Sequence, residues 1–300
     1  MIRFGRLGLA LAAVACAGAA LSAPPAGPPP SVTVDPPRDP LHPARNQQLV
    51  ITSGGSEMNA LLFQAKGPGP KPTLILLHGL PGNERNLDLA QAIRRVGWNV
   101  LTFSYRGAWG SAGNFSFTNA VADAQAALDL ARSAEGAKLG IDPRRLVIGG
   151  HSMGGGVATL VAARNQGLAG LVLLDAWNIG EAAQEIATGG EKASAEFIAG
   201  ADDFGHALAG ATPASLADEL AGLDGRWNLL STTENLRAMP VLDVYAKHGG
   251  AAQNVALVGA LKGAGNLRVT AVEIDSDHVF ADHRIKLAEA IASWLATLPR

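Results

Sequence analysis

The sequence has little of what disulfide, thiol and nucleic-acid chemistry require. Cys16 is the only cysteine among 300 residues, so the chain cannot form an internal disulfide or a site built from several thiolates. Its 24 basic and 26 acidic residues give a formal net charge of −2, and it contains no basic run. Because such a chain lacks the cationic surface that neutralises a phosphate backbone, we expect no nucleic-acid partner.

Metal and cofactor signatures are also missing. The seven histidines show neither H-x-x-x-H nor H-x-H spacing. Asp202, Asp203 and His206 are interpreted as a solvated helix face rather than as a ligand cluster. No glycine-rich dinucleotide fingerprint opens the predicted sheet. The sequence therefore predicts a protein that uses neither a metal site nor a cofactor.

The N-terminus has the layout of a secretory signal. Arg3 and Arg6 precede an apolar stretch over 7–21, which is shorter than a typical membrane span and ends among small residues. We therefore expect residues 1–23 to be a signal peptide that directs export to the periplasm or the medium, and we expect no stable membrane span. The context of Cys16 loosely resembles a bacterial lipoprotein box, which leaves a lipid anchor at this residue as an alternative.

Proline dominates the segment that follows. Residues 24–43 contain nine prolines and almost no periodic apolar pattern. This composition predicts an extended linker over 24–46, outside the core. The chain is 48% hydrophobic, so the remaining residues, 47–300, can bury one large core and are expected to form a single domain.

Strand and helix patterns alternate along this domain. Strands are predicted at 48–52, 61–64, 73–77, 99–103, 146–149, 170–174, 241–246 and 267–274. Helices are predicted at 87–96, 119–132, 155–164, 252–261 and 281–298. The alternation predicts an α/β fold with a mostly parallel eight-stranded sheet, an antiparallel edge and flanking helices. The long connection between the sixth and seventh strands, about 176–238, is interpreted as a helical lid.

A serine stands at the junction of one of these strands with the next helix. The segment Gly150-His151-Ser152-Met153-Gly154 has the G-x-S-x-G pattern, with a predicted strand before it and a predicted helix after it. Small neighbours allow a strained turn that lifts the hydroxyl to the top of the sheet. Ser152 is therefore the candidate nucleophile, and His151 is interpreted as a packing and hydrogen-bonding residue.

Together with the serine turn, the segment His78-Gly79-Leu80-Pro81-Gly82 resembles the α/β-hydrolase superfamily, in which an H-G-x-P turn follows the third strand. The resemblance implies the α/β-hydrolase fold and an oxyanion hole formed by the backbone N–H groups of Leu80 and Met153. It also implies a cis peptide bond between Leu80 and Pro81.

The segment from Tyr105 to Gly113 resembles the Y-R-G-x-x-x-S-x-G loop of prolyl-oligopeptidase-like and dienelactone-hydrolase-like members of this superfamily. The resemblance implies that this loop borders the mouth of the active site. Arg106 is interpreted as a residue that pairs with a carboxylate and braces the loop.

A serine hydroxyl needs a base, and the chain order of the superfamily implies a histidine near the C-terminus. His278 lies in an Asp277-His278-Val279-Phe280 segment that resembles the D-H-x-F turn of related hydrolases. We expect His278 to be the base because it lies in the loop after the last strand. His283 is the competing histidine.

The orienting acid is left open. The superfamily usually carries it after the seventh strand, where this chain reads Lys247-His248-Gly249-Gly250 and offers no carboxylate. Some members carry it after the sixth strand, where Asp175 stands, so Asp175 is our first choice. Asp243, which lies within the seventh strand, is the second candidate. Another residue, or no acid at all, is the remaining alternative. Asp277 is adjacent to His278 and is therefore too close to turn back onto its ring.

These observations together predict an exported serine hydrolase. Its catalytic residues would be Ser152, His278 and Asp175, and its substrates small-molecule esters, thioesters or peptides. An esterase is the first choice and a serine peptidase the second. A non-catalytic binding protein on the same scaffold is the third alternative, since the usual acid position is empty.

Overall fold

A computed structural model gives the fold of the protein and describes residues 30–201, 204 and 207–299. The predicted signal peptide at 1–23, with Cys16, lies outside the described residues. So do Asp202, Asp203 and His206. None of the helices in the described ranges is both long enough and apolar enough to cross a bilayer.

The described residues contain one eight-stranded sheet with the order β1-β2-β4-β3-β5-β6-β7-β8. Its strands are β1 (Arg45–Ser53), β2 (Ser56–Gln64), β3 (Lys71–Leu77), β4 (Asn99–Phe103), β5 (Ile141–His151), β6 (Gly170–Leu174), β7 (Val241–His248) and β8 (Val269–Asp277). The pairs β1·β2 and β2·β4 are antiparallel, and every other pair is parallel. The predicted mostly parallel sheet with an antiparallel edge is confirmed.

The central strands are mostly buried because helices cover both faces of the sheet. Every residue of β4 and β6 is buried, whereas the edge strand β1 is exposed over most of its first six residues. A strand buried on both sides reads as a continuous apolar run, and these are the strands that the sequence predicts with the correct ends.

The helices lie in two layers. They are α1 (Pro30–Thr33), α2 (Leu87–Arg95), α3 (Phe117–Arg132), α4 (Ala134–Lys138), α5 (Met153–Ala162), α6 (Ile179–Gly200), α7 (Pro213–Gly222), α8 (Thr233–Leu236), α9 (Ala251–Gly263) and α10 (Arg284–Leu295). Residues of α3, α5 and α9 share one buried apolar cluster on one face of the sheet, and residues of α2 and α10 share a second cluster on the other face. The two layers leave the carboxyl edge of the parallel strands open for a site.

The described residues of the connection between β6 and β7 are largely helical, and its interpretation as a lid stays a prediction. They include α6, α7 and α8 together with short 3-10 turns at Gly225–Trp227 and Leu229–Thr232. Helix α6 bends at Gly190, whose φ is 60°. A bend of this kind needs the left-handed region, which glycine enters without a steric penalty.

The N-terminal part of the described chain differs from the prediction of an extended linker over 24–46. Residues Pro30–Thr33 form the short helix α1, and Val32 is buried in the apolar cluster of α2 and α10. The guanidinium of Arg95 donates a hydrogen bond of 3.2 Å to the carbonyl of Val32. One apolar side chain between two helices is enough to hold this segment against the domain, and the proline count did not reveal it.

Candidate active site

Ser152 lies at a sharp turn between β5 and α5. Its φ of 54° and ψ of −123° are strained for a residue with a side chain. Gly154 lies close to the preceding loop, since a Cβ there would stand 2.6 Å from the carbonyl oxygens of both Leu77 and His78. Only glycine lets the helix start so close to β3, and this approach fixes the serine beside the loop that follows β3.

The loop after β3 runs along Ser152. A Cβ placed on Gly79 would stand 3.0 Å from the Cβ of Ser152, and the Leu80–Pro81 peptide bond is cis, as the resemblance implied. Among the hydrogen bonds of the described residues, neither the Leu80 nor the Met153 N–H acts as a donor. Both are therefore free to bind an oxygen that develops negative charge near Ser152.

His78 anchors this loop. Its ring nitrogen Nδ1 donates a hydrogen bond of 2.8 Å to the carbonyl of Gly79, and the hydroxyl of Tyr105 donates one of 3.3 Å to the carbonyl of His78. The two rings meet edge to face at 4.6 Å. Burial lowers the pKa of His78 to about 4, so the ring is neutral at pH 7 and adds no charge beside the oxyanion position.

His278 and Asp175 meet above the ends of β6 and β8. The Nδ1 of His278 lies 2.5 Å from Oδ2 of Asp175. The buried carboxylate also accepts N–H groups from Ala246 at 3.0 Å and from Gly250 at 2.8 Å. Three donors thus hold Asp175 in one orientation, and its bond to Nδ1 leaves Nε2 of His278 as the free ring nitrogen.

Gly249 makes room for this arrangement. Together with Gly250 it occupies the loop after β7, where the superfamily usually carries its acid. A Cβ on Gly249 would stand 2.2 Å from Oδ2 of Asp175 and 3.0 Å from Cα of His278. A side chain at Gly249 would therefore occupy the space that Asp175 uses. The glycine pair in place of the usual carboxylate was the sequence signal that a side chain from another strand occupies this space.

His151 holds the backbone of His278. Its Nε2 donates a hydrogen bond of 2.8 Å to the carbonyl of His278, and the two rings are 4.6 Å apart. Burial, followed by the charge of His278, lowers the pKa of His151 to about 4. As predicted, His151 packs and donates a hydrogen bond, and a neutral ring there does not repel an imidazolium on His278.

The competing residues have other surroundings. Asp243 is buried within β7, and neither of its carboxyl oxygens has a hydrogen-bond partner among the described residues. Burial, and then the charge of Asp175, raises the pKa of Asp243 well above its ordinary value. Asp277 accepts the N–H of Ala281, and His283 pairs with its neighbour Asp282 at 2.9 Å. None of these three side chains contacts the His278 ring through a hydrogen bond.

Ser152 and His278 line one cavity of about 400 Å³. Its remaining lining is mostly apolar and comes partly from the connection between β6 and β7: Leu80, Trp177, Phe197, Phe204, Gly249, Gly250 and Gln253. The three aromatic residues were missed by the sequence analysis. They could have been noticed in the sequence, because aromatic residues are rare in this segment, which is otherwise rich in alanine, glycine and acidic residues.

Arg106 braces the loop after β4, as predicted. Its Nε donates to Oδ1 of Asp123 at 2.5 Å, and its backbone N–H donates to Oδ2 at 2.8 Å. Asp123 lies in α3 and is fully buried. This ion pair therefore fastens the loop to the helix layer rather than facing the cavity.

The described residues contain no group of three potential metal ligands.

Comparisons with known proteins relate this architecture to one family. The model described as "Alpha/beta hydrolase family" matches residues 74–290. Est1E from Butyrivibrio proteoclasticus has a similar structure, with a TM-score of 0.62 and 18% identity, covering 83% of this chain and 97% of that chain. The carboxylesterase EstE1, cloned from a metagenomic library, has a TM-score of 0.62 and 20% identity, covering 86% of this chain and 91% of that chain. At these identities the likeness concerns the fold.

The curated relatives match over a shorter stretch. The proteins Rv2307c and MT2364 of Mycobacterium tuberculosis, both named as uncharacterized, are each 31% identical to this chain over 142 residues. The match covers 47% of this chain and 47% of each relative. The chain thus spans about half the length of the curated relatives it matches, and neither name states an activity.

Proposed function

Because this chain belongs to the alpha/beta hydrolase family, we propose that it hydrolyses carboxylic esters through an acyl-enzyme formed on Ser152. The observation that carries the proposal is the 2.5 Å contact between Nδ1 of His278 and the buried carboxylate of Asp175, beside a cavity that Ser152 also lines. A histidine oriented in this way is the base that a serine hydroxyl needs.

In the proposed reaction, Nε2 of His278 removes the proton of Ser152 as Oγ attacks the ester carbonyl. The oxygen of the tetrahedral intermediate binds the N–H groups of Leu80 and Met153, and the loss of one such donor costs about 3 to 4 kcal/mol in hydrolases of this kind. His278 then gives the proton to the leaving alcohol, and the same base activates the water that releases the acid. Asp175 keeps the imidazole in the tautomer that this sequence requires.

The cavity supports a substrate that is uncharged near the scissile bond. Among the described residues its walls are mostly apolar and aromatic, with Gln253 as one of few polar side chains, and they include no Asp, Glu, Lys or Arg. A buried charge without a partner in such walls costs several kcal/mol. We therefore propose small apolar esters, and thioesters of similar shape, as the substrates.

Two finer assignments belong to the same proposal. The loop from Tyr105 to Gly113 and the turn around His278 support a place in the prolyl-oligopeptidase-like or dienelactone-hydrolase-like branch. The basic and apolar N-terminal residues support export to the periplasm or the medium.

A fluorophosphonate probe tests the nucleophile. The intact protein should be labelled once, and Ser152→Ala should not be labelled. A matched pair of variants tests the acid with p-nitrophenyl butyrate as substrate. Asp175→Asn should lower kcat by about 10⁴, whereas Asp243→Asn removes a carboxyl of the same size that lies outside the site and should retain most of the rate.

Absence of labelling in the folded, intact protein would contradict hydrolysis and favour the non-catalytic binding protein. Equal kinetics for Asp175→Asn and the parent protein would contradict the role of Asp175 while leaving the nucleophile in place. Turnover of peptide amides in preference to esters would favour the peptidase.

A further inference from the structure

A second cavity lies on the antiparallel side of the sheet. It has a volume of about 510 Å³, and none of its described lining residues also lines the cavity that contains Ser152. Residues of β1, β2 and β4 form its floor, and Arg85, Leu87 and Trp109 form its rim. The Nε1 of Trp109 donates a hydrogen bond of 2.8 Å to the carbonyl of Pro81. The loop that carries Leu80 and Pro81 therefore lies between the two cavities.

Exposed apolar side chains are concentrated in this second cavity. Val50 is 58% exposed, Leu87 is 40% exposed and Trp109 is 42% exposed, and all three line it. Single exposed apolar residues are common on protein surfaces, but several that line one concave surface indicate a binding site. The walls suit a hydrocarbon chain.

Arg85 adds an unpaired positive charge to the same cavity. Its guanidinium donates one hydrogen bond, 2.9 Å to the hydroxyl of Ser104, and forms no ion pair within the described part of the chain. Burial lowers its pKa, with no carboxylate to offset this effect. Arg106 and Arg284, by contrast, pair with Asp123 and Asp88. A half-buried guanidinium with most of its donors unused is a site for an external anion.

We propose that this cavity binds a free aliphatic carboxylic acid of medium chain length as its carboxylate. The guanidinium of Arg85 receives the carboxylate through paired N–H donors, and the chain lies along Val50, Leu87 and Trp109. A single unpaired guanidinium matches the charge of a monoanion, and its planar pair of N–H donors matches the two oxygens of a carboxylate. The side-chain amides of Gln48 and Asn59 also line the cavity and supply further donors. Binding breaks and forms no covalent bond, so the inference goes beyond the proposed hydrolysis and does not depend on it.

Calorimetric titration with octanoate tests the inference. The intact protein should bind one octanoate saturably, and Arg85→Gln should weaken binding roughly ten- to one-hundred-fold, the range expected for a charged hydrogen bond. Val50→Glu places a second negative charge at an exposed position of the cavity and should abolish binding. Uncharged 1-octanol should bind more weakly than octanoate to the intact protein.

Arg94→Gln is the matched control. Arg94 is partly buried, as Arg85 is. It lies in α2, donates a hydrogen bond to the side chain of Asn46 and does not line the cavity. Its variant should bind octanoate like the parent protein. Equal affinity of Arg85→Gln and the parent would overturn the inference, because octanoate would then be bound elsewhere, including beside Ser152. A dimer of the parent that Val50→Glu converts to a monomer would also overturn it, since a second copy would then cover the cavity.

Discussion

Asp243→Asn should change how the stability of the protein depends on pH. Asp243 is fully buried in β7, between strands β6 and β8, and neither carboxyl oxygen has a partner among the described residues. The charge of Asp175 lies close enough to disfavour ionisation further. The folded protein therefore keeps a proton on Asp243 under conditions in which the unfolded chain has already lost it.

The sign and size follow from proton linkage. Burial raises the pKa of Asp243 in the folded state above its ordinary value of 3.8. Below that value both states are protonated and the residue makes no pH-dependent contribution. Above it, each pH unit up to the folded-state pKa lowers the free energy of unfolding by about 1.4 kcal/mol. Asparagine has no such titration, so the variant lacks this slope. The buried amide adds a cost of about 1 to 3 kcal/mol that does not vary with pH.

Urea unfolding, followed by tryptophan fluorescence at half-unit steps from pH 4.5, measures this difference. The free energy of unfolding of the parent minus that of Asp243→Asn should fall by about 1.4 kcal/mol per pH unit at the start of the range. Asp218→Asn removes an exposed carboxyl from α7 and should leave the slope of the parent unchanged. Parallel curves for the parent and Asp243→Asn would refute a protonated, unpaired Asp243.

Two further changes test the packing around the site. Gly249→Ala places a Cβ 2.2 Å from Oδ2 of Asp175. It should displace the acid and lower kcat for p-nitrophenyl butyrate by at least about 10². In the control Gly259→Ala the new Cβ meets no atom within 4 Å, so kcat should be unchanged and the free energy of unfolding should rise by about 0.5 to 1 kcal/mol. A kcat of Gly249→Ala equal to that of the parent protein would show that turnover does not require the Asp175 carboxylate in this position. Arg106→Met leaves Asp123 buried without its cation and should cost about 3 to 5 kcal/mol in urea unfolding. A loss below about 1 kcal/mol there would contradict the buried ion pair.

Much of the architecture was predictable because its signals are local. Strand β6 is an uninterrupted apolar run and β4 is apolar at three of its five positions, and the ends of both strands were predicted correctly. The turn at Ser152 was predictable for the same reason, since a strand, a serine among glycines and a helix follow one another in the chain. Each of these features depends on neighbours within a few residues, where backbone sterics and burial act together.

Residues far apart in the chain were harder to assign. The sequence left Asp175 and Asp243 as alternatives, because Asp175 follows the sixth predicted strand and Asp243 lies in the seventh, and the sequence does not say which of them reaches the imidazole. The structure separates them at the end of β7, where Gly249 leaves space for the carboxylate of Asp175 and the N–H groups of Ala246 and Gly250 bind it. The other carboxylate faces buried apolar surroundings with no donor. Steric room and available donors are properties of the assembled loop.

The sequence by itself determined the type of fold, the eight strands in their order along the chain, and the serine and histidine proposed to act together. Only the tertiary structure decided which carboxylate contacts the imidazole, which aromatic side chains of the insertion line the cavity, and that Val32 is buried against the domain. The reason is physical. Hydrophobic periodicity and turn formation depend on residues that are neighbours in the chain. A cavity, a desolvated carboxyl or an unpaired guanidinium exists only when distant segments come into contact.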